Sequence, residues 1–187
     1  MEETIESMMM HGEELMDKAI QHLHDELVKI RAGKASPAML SGLMVDYYGN
    51  PTPINQVANI GTPDSRTISI QPWEKKMLGP IEKSIYAANL GVTPMNDGEF
   101  VRINIPPLTE ERRKELVKQA KSLEEEAKIS LRSARHKVID FIKKEVKDGY
   151  PEDAGKKKED EVQQMVKAHT ETIEKMIVAK EKDIMTV

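Results

Sequence analysis

A chain of 187 residues with 28 Lys and Arg, 32 Asp and Glu and a net charge of −4 fits one domain of ordinary size or two small ones. Its 39% apolar and 4% aromatic content suits long amphipathic helices better than one thick core. The absence of cysteine excludes disulfides, thiolate zinc sites and thiol nucleophiles, and no run approaches the 18 apolar residues of a membrane span.

The acidic start, MEETIESMMMHGEE, lacks the charge pattern of a signal or transit peptide, so a cytoplasmic protein is expected. From about Glu2 to Arg31 apolar residues recur at helical spacing: Ile5, Met9, Leu15, Met16, Ala19, Leu23, Leu27 and Ile30. Gly33 and Pro37 end that helix, with Gly33 expected to cap it in a left-handed conformation.

Residues 32–105 change character, holding seven of the ten prolines. LMVDYY (43–48), INQVANI (54–60), RTISIQ (66–71) and FVRINI (100–105) read as short strands. GNPTP and MNDGEF read as turns, and Trp73 to Leu90 as a helix stopped at Gly91. This is a small α+β domain inserted between helices. Its six basic and six acidic side chains leave it neutral. The crossings at Arg31, Ala32 and Gly33 and at Ile105, Pro106 and Pro107 carry Gly or Pro, and a short hinge is expected there.

A second long helix is expected from about Glu110 to Lys147. Thr109 stands as its N-cap, and Leu116, Ala120, Leu123, Ala127, Leu131, Ala134, Val138 and Ile142 form its apolar series. At 1.5 Å per residue it would reach about 57 Å. Asp148-Gly149-Tyr150-Pro151 stops it, and a polar loop is expected through Gly155. A third helix, about Lys158 to Ile184, carries Val162, Val166, His169, Ile173, Ile177 and Ile184 on one stripe.

Helices of this length must bury their stripes against one another. Residues 1–31 with 106–187 therefore read as an antiparallel three-helix bundle, with an oligomeric coiled coil as the alternative. No phosphate loop, HExxH or nucleophile elbow occurs. His22 and His24, two apart on a helix, face different ways, and His169 reads as a core histidine. The expectation is a protein without catalytic activity, metal or cofactor.

One charge pattern remains. After Glu110 and Glu111 come Arg112, Arg113 and Lys114, where three cations gain nothing from the helix dipole. The series Lys114, Lys118, Lys121, Glu125, Lys128, Arg132, Arg135 continues at 4,3 spacing, six of its seven members basic. It spans about 32 Å of one helix face. A rigid basic stripe suits a phosphate backbone, because each Lys or Arg that meets a phosphate releases counterions. Arg132 and Arg135 can grip phosphate oxygens bidentately. Ordinary solvated i,i+4 pairs, such as Glu124 with Lys128, are the competing reading.

KIRAGKASPAML, DYYGNPTPI, PDSRTISIQPW, NLGVTP and IPPLTEERRKEL, in that order, closely resemble the bacterial ribosome recycling factor family. The resemblance implies a three-helix bundle with an inserted β/α/β domain, L-shaped like tRNA. It implies a monomer that binds the 70S ribosome through large-subunit rRNA. Elongation factor G, hydrolysing GTP, then drives the subunits apart. It further implies rRNA contact from Arg135 and Arg132, and from Arg31 and Lys34 at the end of the first helix. Lys34 stands where the family usually has Arg, and His136-Lys137 where it usually has Arg-Asp. A helical adaptor working through the bundle ridge is the alternative from another class.

Overall fold

The computed structural model describes residues 4–186, and the expected helical start at Glu2 lies outside them. The chain folds into two compact units: the described residues up to Ala32 together with Glu110 onward, and Gly33–Thr109.

Three helices build the first unit: α1 (Ile5–Lys29), α3 (Glu110–Lys147) and α4 (Glu152–Met185). Thr4 starts α1 through a capping box. Its hydroxyl accepts the Ser7 N–H at 3.1 Å while Ser7 Oγ accepts the Thr4 N–H at 2.9 Å. The helix does not run to Arg31 or end on Gly33: it stops at Lys29, where extended Ile30 caps it by donating its N–H to Leu27 O. Ile30 is only 4% exposed, so burial of that side chain turns the chain before any glycine is needed.

Ile5 and Met8 pack with Val138, Ile142 and Val162. Glu6 pairs with Lys158 at 3.5 Å and Asp17 with His169 at 2.8 Å. Helix α1 therefore runs with α4 and against α3. The shared interior holds Met16, Leu23, Leu131, Ala134, Val138, Ile142, Val162, Ile173 and Ile184, all at most 2% exposed. His169 joins this interior at its edge: its side chain is 12% exposed and bridges Met165 O and Asp17.

Helix α3 has the expected bounds, but α4 begins six residues before Lys158, so Gly155 belongs to a helix and not to a loop. It is buried, and a Cβ there would lie 2.6 Å from Val146 Cγ2. The glycine is a close-approach residue that seats the start of α4 on the end of α3, which its usual role as a helix breaker hides.

The second unit holds β1 (Met44–Tyr47), β2 (Asn50–Pro53), β3 (Ala58–Asp64), β4 (Thr67–Pro72), α2 (Leu78–Ala87), β5 (Pro94–Asn96) and β6 (Val101–Asn104). Strands β1 and β2 form a hairpin, and the other four form an antiparallel sheet in the order β3-β4-β6-β5. Ile68, Ile70, Val101 and Ile103, each at most 1% exposed, alternate toward a core shared with Ile81 and Ile85 of α2.

GNPTP is a strand as well as a turn. The turn residues are Tyr48 and Gly49 (φ 50° and 82°), after which Pro51 and Pro53 pair with Asp46 and Met44. A two-stranded ribbon tolerates proline because each strand keeps one open edge. Likewise Met95 and Asn96 of MNDGEF belong to β5, and the turn that follows is held by Asp97 Oδ1, which accepts the N–H groups of Glu99 and Phe100. INQ (54–56) forms a tight turn before β3, and α2 begins at Leu78, five residues after Trp73.

Candidate nucleic-acid interface

The basic series lies along α3 on the flank that faces α4, beside the apolar stripe and not opposite it. Lys128 Nζ lies 3.0 Å from Glu124 and 3.3 Å from Glu174 of α4, and Lys121 Nζ lies 3.8 Å from Glu181 of α4. The two cross-helix pairs are seven residues apart on each helix, the repeat of antiparallel helices in register. The Glu124 hydrogen bond holds the Lys128 ammonium above its usual range, with Glu174 adding to it. Arg132 pairs with Glu125, the one acid in the series, at 2.6 Å.

Lys114, Lys118 and Arg135 differ. Among the described residues they make no hydrogen bond or ion pair. Lys114 and Lys118 are exposed and Arg135 is half-buried beside Ala134. Arg113 is half-buried too, and its Nε is a buried donor with no acceptor among the described residues, a group that ordered water or a bound acceptor satisfies. Arg112 pairs with Glu115 at 2.9 Å. The series is thus a row in which acids answer the middle cations and leave the outer ones open. The answering acids, Glu174 and Glu181, are invisible in the sequence of α3, because only the register of two helices brings them there.

Lys137 falls elsewhere. With Lys18 and His22 it rims a groove between α1 and α3, whereas exposed His136, four residues from Arg132, stays on the basic side. Arg31 is exposed at the end of the first unit, and Lys34 is half-buried in the second. Among the described residues no group of three His, Cys, Asp or Glu is placed to hold a metal.

The crossings have their own geometry. The Ala35 N–H donates to Ser65 O and the Ile105 N–H to Arg66 O, both at 2.7 Å, so one hairpin turn ties down both ends of the inserted unit. Ile105 is 9% exposed and part of the core. It is an anchor of the inserted unit, and the exposed residues of the second crossing are Pro106 and Pro107. Gly33 has the expected positive φ (73°), and a Cβ there would sit 2.7 Å from Leu108 Cγ. The two crossings therefore touch at Gly33.

The model of the ribosome recycling factor family matches residues 23–185. The chain belongs to the ribosome recycling factor family. The ribosome-recycling factor of Porphyromonas gingivalis is 52% identical over 173 residues, covering 92% of this chain and 93% of that protein. That of Flavobacterium johnsoniae is 50% identical over the whole of both chains. A solution structure of the ribosome recycling factor superposes with a TM-score of 0.78 at 34% identity, covering all of both chains. A Thermus thermophilus recycling factor, from models with Escherichia coli elongation factor G bound to the E. coli post-termination complex, gives 0.63 at 36% identity. The long helices and the small inserted antiparallel sheet are the architecture of this family.

Proposed function

We propose that this chain, with elongation factor G and GTP hydrolysis, dissociates the post-termination ribosome into subunits and releases mRNA and tRNA for reuse. It acts as a monomer in the cytoplasm, without a cofactor. The bundle grips large-subunit rRNA through α3. Arg135, Lys118 and Lys114 meet phosphates directly, and Lys121, Lys128 and Arg132 exchange their carboxylates for phosphates. Arg113 uses its orphan Nε–H, and Arg31 and Lys34 extend the contact beyond the helix. The observation that carries this reading is the set of open cations, Lys114, Lys118 and Arg135, in a stripe whose other basic members, Lys121, Lys128 and Arg132, already face carboxylates.

The neutral inserted unit has no comparable charge to hold it on RNA, so it is the part that a protein motor moves. Motion is confined to Arg31–Gly33 and Pro106–Pro107, because hydrogen bonds to Ser65 and Arg66 fix the chain just inside them. The chain makes and breaks no covalent bond in this scheme; the motor supplies the energy. Membrane attachment has no part in it, and among the described residues no helix is long and apolar enough to cross a membrane.

The deciding measurement is light scattering of post-termination 70S ribosomes mixed with this chain, with and without elongation factor G and GTP. Splitting is expected only with all components present. Splitting without the motor, or none with it, would overturn the assignment.

A further inference from the structure

Tyr48 is a bulky residue at φ 50°, a conformation that L side chains avoid and that a two-residue hairpin loop ordinarily gives to Asn, Asp or Gly. Such strain persists only where the surroundings over-determine it. Here they do. The Tyr48 hydroxyl donates to Glu74 Oε2 at 2.6 Å, and the Tyr47 hydroxyl donates to Glu74 Oε1 at 3.1 Å. The two rings meet edge to face, 4.7 Å between centroids. One carboxylate from the far side of the sequence therefore pins two neighbouring phenols.

Tyr47 packs partly against the core of the unit, but the rings beside it stay in solvent. Tyr48 is 67% exposed, and Trp73, next to Glu74 in the chain, is also 67% exposed. A core has no use for these rings, and a hairpin would be easier to form without Tyr48. The hydroxyls are spent on Glu74, so the cluster offers ring faces and a carboxylate that keeps two free lone pairs.

We propose that Tyr48, Glu74 and Trp73 form a docking cradle for a protein partner, and that the partner's anchor is an arginine. A guanidinium stacks on aromatic faces and pairs with a carboxylate; the Tyr48–Glu74 hydrogen bond holds one of each together, and exposed Trp73 adjoins Glu74 in the chain. Rigid aromatic anchors and arginine dominate binding energy at protein interfaces. RNA is the competing occupant, since bases also stack on exposed rings and Lys75 and Lys76 follow Glu74. An anionic centre in a neutral unit gives a phosphate backbone no net attraction, which favours protein. Lys75 and Lys76 then form the polar rim, limiting the partner to a single cation and not a basic run. The inference rests on the proposed function for where the cradle works: it is the face that the inserted unit shows to the recycling machinery.

The test uses the full chain. A photo-crosslinking residue replaces Tyr48, and the products on 70S ribosomes with elongation factor G are identified by mass spectrometry. In parallel Tyr48→Asn, Trp73→Ala and Glu74→Gln are compared with the parent for melting, 70S binding and splitting. The expected crosslink is to a peptide containing arginine. Tyr48→Asn is expected to melt no lower than the parent, since Asn accepts the turn conformation, while splitting falls about tenfold, the loss of one interface anchor. Trp73→Ala should lose a similar factor and Glu74→Gln less. Crosslinks to RNA, or variants that split at the parent's rate, would overturn the cradle. The parent's own splitting reads the functional assignment separately, because the crosslink reports even where splitting fails.

Discussion

In the bundle each helix closes its own backbone hydrogen bonds, while long-range contacts bury its stripe and set its register, as Lys121 with Glu181 and Lys128 with Glu174 do. In the inserted unit the long-range contacts are the structure. Ile68 pairs with Ile103, and the unit's two ends hang on Ser65 and Arg66. The proposed rRNA contacts of the bundle are charges beside its core, and the proposed cradle of the inserted unit sits on a hairpin turn and the chain after β4. On the proposed reading, the bundle's stripe can be changed without touching its core, whereas the ends of the inserted unit cannot be freed without loosening its sheet.

The largest test of that contrast is salt. If all six basic residues of the stripe engage phosphates, 70S affinity falls on the order of 10³-fold between 50 and 200 mM salt; three open cations alone give roughly 20- to 40-fold. A binding titration over that range counts the contacts, and a flat curve would remove the stripe as anchor. Next come the cores. Ile173→Ala and Ile70→Ala, both at 0% exposure, should each cost about 2–5 kcal/mol. Hydrogen exchange should show lost protection in the bundle alone for the first and in the inserted unit alone for the second. Loss across the whole chain in both cases would make the two units one.

Arg135→Ala should weaken 70S binding by about 1.5–3 kcal/mol, the scale of a charged hydrogen bond. Its melting temperature should barely move. Lys137→Ala, on the α1–α3 groove, should change binding by less than about 0.5 kcal/mol; equal losses from both would misplace the rRNA face. Gly33→Val forces a β-branched residue to φ 73° and against Leu108, costing about 1–3 kcal/mol. Binding should survive while splitting drops, and a variant that splits at the parent rate would put the pivot elsewhere.

The smallest effect is acid. Backbone N–H groups, Arg66's first, hold Asp64 below the usual carboxylate range. The Tyr48 and Tyr47 hydroxyls do so for Glu74, and the Phe100 and Glu99 N–H groups for Asp97. A depressed carboxylate contributes stability above its ordinary value and loses it as pH falls through the folded value. Three such groups sit in the inserted unit; among the described residues of the bundle only Glu26, beside Lys29, is shifted likewise. Below about pH 4.5, circular dichroism and exchange should show the inserted unit loosening first.

What the sequence discloses follows the same division. The 3.6-residue period and its start and stop signals place α3 where it lies, because helix formation is local. It misplaces the start of α4, because Gly155 is read by its backbone freedom while its actual use is to let Val146 approach. In the inserted unit Pro51 and Pro53 hide a strand whose existence depends on its partner Met44–Asp46. Ile105 looks like a crossing residue until Arg66 is brought to it by the β3–β4 turn. On the stripe, the cations are legible from spacing, but which of them are already paired is a property of two helices together.

The pairs across α3 and α4 also bear on how long a complex would last. A phosphate that engages Lys128 must take it from Glu124 and Glu174, and one that engages Lys121 must take it from Glu181. On departure those carboxylates are waiting within 4 Å. Each paired lysine thus carries its own replacement ligand, which lowers the barrier to letting go. A row of open cations would hold RNA longest. A row with internal competitors fits the proposed role, in which the factor leaves each ribosome to reach the next.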